Sequence, residues 1–286
     1  MNALRRVTVI IGYEWKRALA KKKFLVLVFL VFAVQITVFV VFNHLFTNPP
    51  PGLEVWLEQI KPLMWTLAVL APQGFFSVLI AIMIAGGSMS EEYEQGTADI
   101  LLSKPITRME YVAGKYLGGL SLFSFVMALT TVLGVILSVI FFSPQDSLQF
   151  IPHVYLAVVY SNLVFLSLAF MFSETLRRTM LALLSTVGVF IASSVISGIL
   201  TGVHMITGEE LYLEASKWLP DWCVSNFPNF VIRELNISVP LFGGTFVSAG
   251  ETETFLAGSL IAVYTIVFVA IAVVRIVKSD VTKKTA

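Results

Sequence analysis

The chain has 286 residues, 57% of them hydrophobic and only 13% charged, with a net charge of +1 and a mean hydropathy of +0.86. Soluble domains carry about 25% charged residues, so this composition excludes a water-soluble enzyme or nucleic-acid binder and calls for an apolar solvent. The single cysteine, Cys223, excludes an internal disulfide and a cysteine-rich metal site.

Residues 1–23 read as an interfacial helix. Leu4, Val7, Ile11, Trp15, Ala18 and Leu19 recur at helical spacing, and Arg5, Arg6, Lys16 and Arg17 fall largely off that face. Lys21, Lys22 and Lys23 follow where anionic lipid would attract them. Such a helix serves as a topology anchor, or also as a docking surface for a partner. No small-residue cleavage site follows the first apolar run, so it reads as a span and not as a signal peptide.

A membrane-crossing helix needs about 20 apolar residues. Six segments qualify: 24–46, 63–89, 116–142, 154–172, 179–201 and 255–277. Unpaired backbone in lipid is so costly that only helices and closed barrels cross, and these runs are too long and uniform for barrel strands. The expected fold is an all-α polytopic membrane protein, a single unit over 1–286. Polar residues within the spans are few. Gln35, Thr37 and Asn43 in the first, Gln73 beside Pro72 in the second, and Ser194 and Ser197 in the fifth are candidates for a translocation path or for close helix packing. No residue at predicted mid-membrane depth is charged, which argues against a proton relay.

Between the second and third spans, residues 90–115 carry the most information. Gly96 breaks the extension of the second span, and Thr97 can cap a short new helix with Asp99 in its first turn. Ile100, Leu101 and Leu102 make that helix apolar, Pro105 ends it, and Thr107 with Glu110 forms a capping box for the third span. Such a helix can fill a groove in another protein, or its leucines can rest on lipid. The 202–254 loop is too long for a connector. Thr207 and Glu210 suggest a capping box, and Leu211, Ala215, Trp218 and Leu219 an apolar stripe ending at Pro220, together an outer cap.

Charge sets the orientation. Of 19 Lys and Arg, 16 fall in 1–23, 90–115, 173–178 and 275–286, and only Lys61, Lys217 and Arg233 fall on the other side. The positive-inside rule then places both termini in the cytoplasm. Catalytic signatures are missing. The Gly114-Lys115 pair has Met109 where a phosphate loop needs Gly, no His-Glu-x-x-His or Gly-x-Ser-x-Gly is present, and Gly96 stands where a paired-glutamate intramembrane protease needs Arg after Glu91-Glu92. His44, His153 and His204, all near predicted outer span ends, are weak metal candidates without ligand spacing.

The stretch Glu94-Gln-Gly-Thr-Ala-Asp-Ile-Leu-Leu-Ser-Lys-Pro-Ile-Thr-Arg108, followed by Gly114-Lys115, resembles the first cytoplasmic loop of ABC-2 type transporter permeases. Glu94, Gly96, Thr97, Leu101, Leu102, Pro105 and Arg108 match that pattern, and the layout resembles short stand-alone permeases, including those of nitrous-oxide reductase maturation and of drug or peptide export. The resemblance implies that the loop is a coupling helix, with Ile100 among its residues, seated in a separate ATPase. It further implies two ATPases working with two permeases, identical or paralogous, in the plasma membrane. ATP and magnesium would bind in the partner, with no catalytic residue or cofactor in this chain, and spans one, two and five would line an export path. An alternative use of the same ATPase is mechanical work on an extracytoplasmic protein through 202–254.

Overall fold

The computed structural model describes residues 3–70, 73–97, 106–142, 144–235, 237 and 251–278. The described residues form helices and connecting turns, with no strand among them. The helices are α1 (Ala3–Leu19), α2 (Lys22–Thr47), α3 (Glu54–Ile60), α4 (Met64–Leu70), α5 (Val78–Gly86), α6 (Ser90–Glu94), α7 (Arg108–Phe142), α8 (Ile151–Leu176), α9 (Thr179–Thr207), α10 (Glu210–Lys217), α11 (Pro220–Glu234) and α12 (Glu251–Lys278). Six stretches are long and apolar enough to cross a membrane: Phe24–Thr47, Leu57–Glu94, Arg108–Phe142, Leu148–Leu176, Thr179–Thr207 and Glu253–Lys278. The protein is a multi-pass helical membrane protein.

The second span is not the uniform helix that its hydropathy suggests. It is assembled from α3, a 3₁₀ turn over Lys61–Leu63, α4, a π-helical turn over Gln73–Ser77, α5 and α6. Tertiary contacts hold the pieces. Gln145 accepts a hydrogen bond from the Trp65 backbone N–H (3.1 Å) and donates to the Lys61 carbonyl (3.0 Å), while the Trp65 indole donates to the Asp146 carbonyl (2.7 Å). A π turn inside a span marks a place where regular packing has been given up, often near a functional site.

Burial identifies the centre of the bundle. In α8, 67% of the most apolar stretch is buried, against 17% in α9 and 22% in α2 and α12. Phe165, Leu166, Ala169 and Phe170 of α8 join two apolar clusters, one with Ile80, Tyr111, Phe123 and Ile276, the other with Phe190, Trp222, Ala257 and Ile261. Apolar side chains on α2, α9 and α12 (Phe29, Ile199 and Ile266 among them) remain exposed, as expected where lipid or another membrane helix is the neighbour.

The N-terminal helix packs through Ile11, Trp15 and Ala18 of its predicted apolar stripe, joined by Ile10 and Glu14 from outside it. It lies along the first turns of α7, so close that a Cβ on Gly114 would stand 2.7 Å from Ile10 and one on Gly118 would stand 2.9 Å from Glu14. Ile10 and Glu14 therefore belong to its packed face, and Trp15 donates from Nε1 to Ser121 (2.8 Å). Leu4 and Leu19, expected in the stripe, are 82% and 46% exposed. The glycine spacing on the partner helix, which a reading of α1 alone does not weigh, decides the face.

At the opposite end, α11 docks on α8 and α12 through Trp222, Cys223, Val224 and Phe230. The Thr207–Glu210 capping box does not form. α9 runs on through Thr207, whose hydroxyl donates to the Val203 carbonyl (2.9 Å), and stops at Gly208 with φ +72°. The left-handed turn at glycine thus ends α9 in place of a side-chain cap. Pro220, expected to end a stripe, is instead the first residue of α11, where its missing N–H costs nothing.

Candidate functional site: the loop anchor at the α1 end

Four consecutive residues of α6, Glu91 to Glu94, reach four different parts of the bundle. Glu91 pairs with Lys21 at the α1–α2 junction (2.6 Å). Glu92, 1% exposed, takes ion pairs from Arg17 of α1 (3.3 Å) and Lys115 of α7, and accepts a hydrogen bond from the Tyr111 hydroxyl. Tyr93 donates to Glu174 at the end of α8 (2.7 Å), with the Arg177 guanidinium 4.5 Å over its ring. Glu94 accepts from the Thr179 N–H (2.9 Å) and hydroxyl (2.8 Å) at the start of α9.

The hub of this arrangement is Lys115, whose side chain is fully buried. It lies between Glu92 and Glu14 (2.6 Å), and Arg17 in turn holds Glu14 (2.7 Å). Two carboxylates and two cations make the cluster neutral overall, the condition under which buried charge is tolerated. Lys115 and Arg17 also donate to the Ser88 carbonyl (3.1 and 3.0 Å), just past the C-terminus of α5. There the helix dipole favours positive charge. Breaking such a pair leaves an uncompensated buried ion and costs about 3–5 kcal/mol.

Around the hub the backbone is closed by side chains. Ser173 of α8 accepts from the N–H groups of Met89 and Ser90 (3.0 and 2.9 Å), which α6 leaves free at its start. Arg178, the residue before α9, has no side-chain cap hydrogen bond. The Glu94 carboxylate takes that role from another helix and sits at the positive end of the α9 dipole. Gly96 (φ +67°) then turns the chain, and the Thr97 N–H returns to the Glu92 carbonyl (3.0 Å), a Schellman closure.

On the far side of the loop the predicted capping box does form: Thr107 N–H to Glu110 (2.9 Å) and Glu110 N–H to Thr107 hydroxyl (3.2 Å). Glu110 also pairs with Arg6 of α1 (2.7 Å). Arg108 donates to the carbonyls of Ile276 and Val277 (2.8 and 2.9 Å), capping α12. Glu94 and Arg108 thus fasten the loop to other helices, while Gly96 and Thr97 close the end of α6. Ile100, Leu101, Leu102 and Pro105 lie outside the described residues.

The structure does not gather the candidate path residues at one place. Gln35 is buried between α2, α4 and α7, Thr37 is exposed with its hydroxyl on the Ala33 carbonyl (2.8 Å), and Asn43 is half-buried further along α2. Ser194 and Ser197 are half-buried on α9, and Gln73 falls in the π turn. The histidines also stay apart. His44 faces Asn48, His153 lies edge-on to Phe150, and His204 meets the Glu209 carbonyl. Among the described residues, no three His, Cys, Asp or Glu side chains are grouped to hold a metal ion.

Sequence reasoning missed the Glu14–Arg17–Glu92–Lys115 cluster. A signal was present: Glu14 stands three residues after Ile11 and four before Ala18, a lone acid within an apolar stripe, and such a charge needs a buried partner. Its partner lies 101 residues away, which no local pattern reveals.

Residues 8–281 match the family described as "ABC-2 family transporter protein". Among curated proteins the chain has no match.

Proposed function

The chain belongs to the ABC-2 transporter family and is the permease component of an ABC transporter, and on that premise we propose that it converts ATP hydrolysis by a separate ATPase into export of a substrate. Family membership implies association with an ABC ATPase subunit. Two such subunits and a second permease copy would complete the machine in the plasma membrane, with both termini in the cytoplasm. The 16 of 19 basic residues on the α1 side support that orientation.

One observation carries the reading. The loop that starts at Gln95 is fastened at one side, through Glu91 to Glu94, to α1, α7, α8 and α9, and at the other, through Arg108, to α12. A push on the apolar segment around Leu101 and Leu102 would therefore reach five helices through short, charge-assisted links, buried at Glu92 and more open at Glu94 and Arg108. Rigid links with discrete partners transmit a displacement where a compliant apolar contact would absorb it. The chain supplies this mechanical connection and the partner supplies the chemistry of ATP.

The test uses the permease co-purified with its ATPase. Leu101→Glu and Leu102→Glu should each abolish permease-stimulated ATP hydrolysis while the protein still inserts and purifies as a folded membrane protein. Unchanged stimulation in both variants would overturn the reading.

A further inference from the structure

Away from the loop anchor, a cavity of about 140 Å³ lies between α2, α4 and the π turn, lined by Val31, Gln35, Phe39, Leu67 and Phe76 among others. Its walls are apolar except for Gln35, which is 4% exposed. The Gln35 amide nitrogen donates to the Ala68 carbonyl (3.2 Å) and to the Thr130 carbonyl (3.0 Å). Both of its N–H groups are spent, and a flipped amide would set oxygen against oxygen, so the orientation is fixed by chemistry. The remaining acceptor, Oε1, is buried and has no hydrogen-bond partner among the described residues.

Two features of the surroundings are built for this side chain. The carbonyl of Ala68 would ordinarily accept from the residue four on, but that residue is Pro72, which has no N–H. Gln35 supplies the donor in its place. On the other flank, Gly134 leaves room, since a Cβ there would stand 2.6 Å from Gln35 Nε2 and 2.8 Å from the Ala68 side chain. The Ala68 and Thr130 carbonyls account for the amide nitrogen and leave the oxygen without a structural role, although a buried, unpaired acceptor ordinarily costs about 1–3 kcal/mol. The arrangement makes sense as a recognition element.

We propose that this cavity binds an apolar molecule, or the apolar end of one, that carries a single hydrogen-bond donor, a hydroxyl or amide N–H, which pairs with Gln35 Oε1. The volume is close to that of cavities that take one benzene-sized group. Val34, Val38, Phe42, Leu67 and Phe76 at its edge are only half-buried, so the ligand can enter sideways from the bilayer. This site rests on the packing of α2, α4 and α7 and not on ATPase coupling, so the two proposals fail independently.

The experiment compares 4-methylphenol with its isostere 1,4-dimethylbenzene. Binding to the purified chain in lipid nanodiscs is measured by ligand-observed NMR, with protein-free nanodiscs correcting for partition. The expected result is a roughly tenfold preference for the phenol in the wild type, lost in Gln35→Met while the hydrocarbon still binds. Val38→Phe, which fills the cavity from its edge and leaves the Gln35 amide alone, should weaken both ligands. Dioctanoylglycerol, with one hydroxyl, identifies the source: displacement of the phenol by it assigns the site to a membrane lipid, and no displacement assigns it to a small free amphiphile. Equal affinity of the wild type for the two probes, or a preference that survives in Gln35→Met, would overturn the proposal, as would binding untouched by Val38→Phe.

Discussion

The two ends of the bundle are held by opposite means. At the α1 end, Glu14, Glu92, Lys115 and Glu174 are buried, and almost every link from loop to helix is ionic or charge-assisted. At the α11 end, the cap is seated by Trp222, Cys223, Val224 and Phe230 against α8 and α12. Polar fastening there is sparse: Lys217 bridges Glu214 (2.6 Å) and Glu253 (2.9 Å), Ser193 accepts from the Asp221 N–H (3.0 Å), and Tyr264 donates to the Trp218 carbonyl. Apolar contacts are non-directional and tolerate small slides, whereas a buried ion pair has one good geometry and a steep cost away from it. One end is suited to receive and pass on a displacement, the other to close the bundle.

The largest expected effect lies in the hub. Lys115→Met leaves Glu14 and Glu92 buried without their shared cation and should cost about 3–5 kcal/mol, read as a large drop in unfolding temperature in detergent. Replacing Glu14, Glu92, Arg17 and Lys115 together with apolar residues of similar volume should recover much of that stability. That quadruple variant separates the two roles of the cluster, since it should fold but no longer support stimulated ATP hydrolysis. A quadruple variant with wild-type coupling would reduce the hub to a packing element.

Next comes the seat of α1. Gly118→Ala places a methyl group against Glu14 and should cost about 1–3 kcal/mol, visible as faster amide exchange along α1 with little change in α11. Glu94→Ala removes the cap of α9 and should cost about 1 kcal/mol, with exchange confined to the first turn of that helix. If either change loosened the α11 end equally, the distinction between the ends would fail.

The smallest effect is at the cap. Burial pulls the Lys217 ammonium down, but its pairs with Glu214 and Glu253 outweigh that and hold it above its ordinary value. A raised lysine contributes stability that is complete below its unfolded-state value and is lost as pH rises through the folded one. The stability gap between wild type and Lys217→Met should therefore be no more than about 1 kcal/mol. It should stay flat through neutral pH and shrink above about pH 10.4, as followed by thermal unfolding across pH.

How much of this was legible in the sequence follows the range of the interactions. Six spans, Gly96 as a break and Thr107–Glu110 as a cap are set by residues within a few positions of one another, and local chemistry reveals them. Pro72, Gln73 and Gly74 mark the interruption of the second span in the sequence, but the pieces are held by Gln145 and Gln35 from elsewhere, which hid how the span is assembled. The hub was hidden for the same reason. Glu91 and Glu92 drew attention only as a protease pattern, while their meaning depends on Lys21, Arg17 and Lys115. Thr207 misled because a glycine one residue later offered the chain a better exit.

On this mechanism the loop and the helix starts it grips move as one body. Spin labels on Gln95 and Met180, both exposed, report their separation, and a third on Phe255, exposed at the far end of α12, reports motion across the bundle. Cys223, buried and with its thiol pushed up to about 12 by burial, does not compete for labelling. Between the nucleotide-free and ATP-bound complex with the ATPase, pulsed electron resonance should find the Gln95–Met180 distance unchanged and the Gln95–Phe255 distance shifted. A Gln95–Met180 distance that changes with ATP, or a bundle in which neither distance moves, would contradict the account.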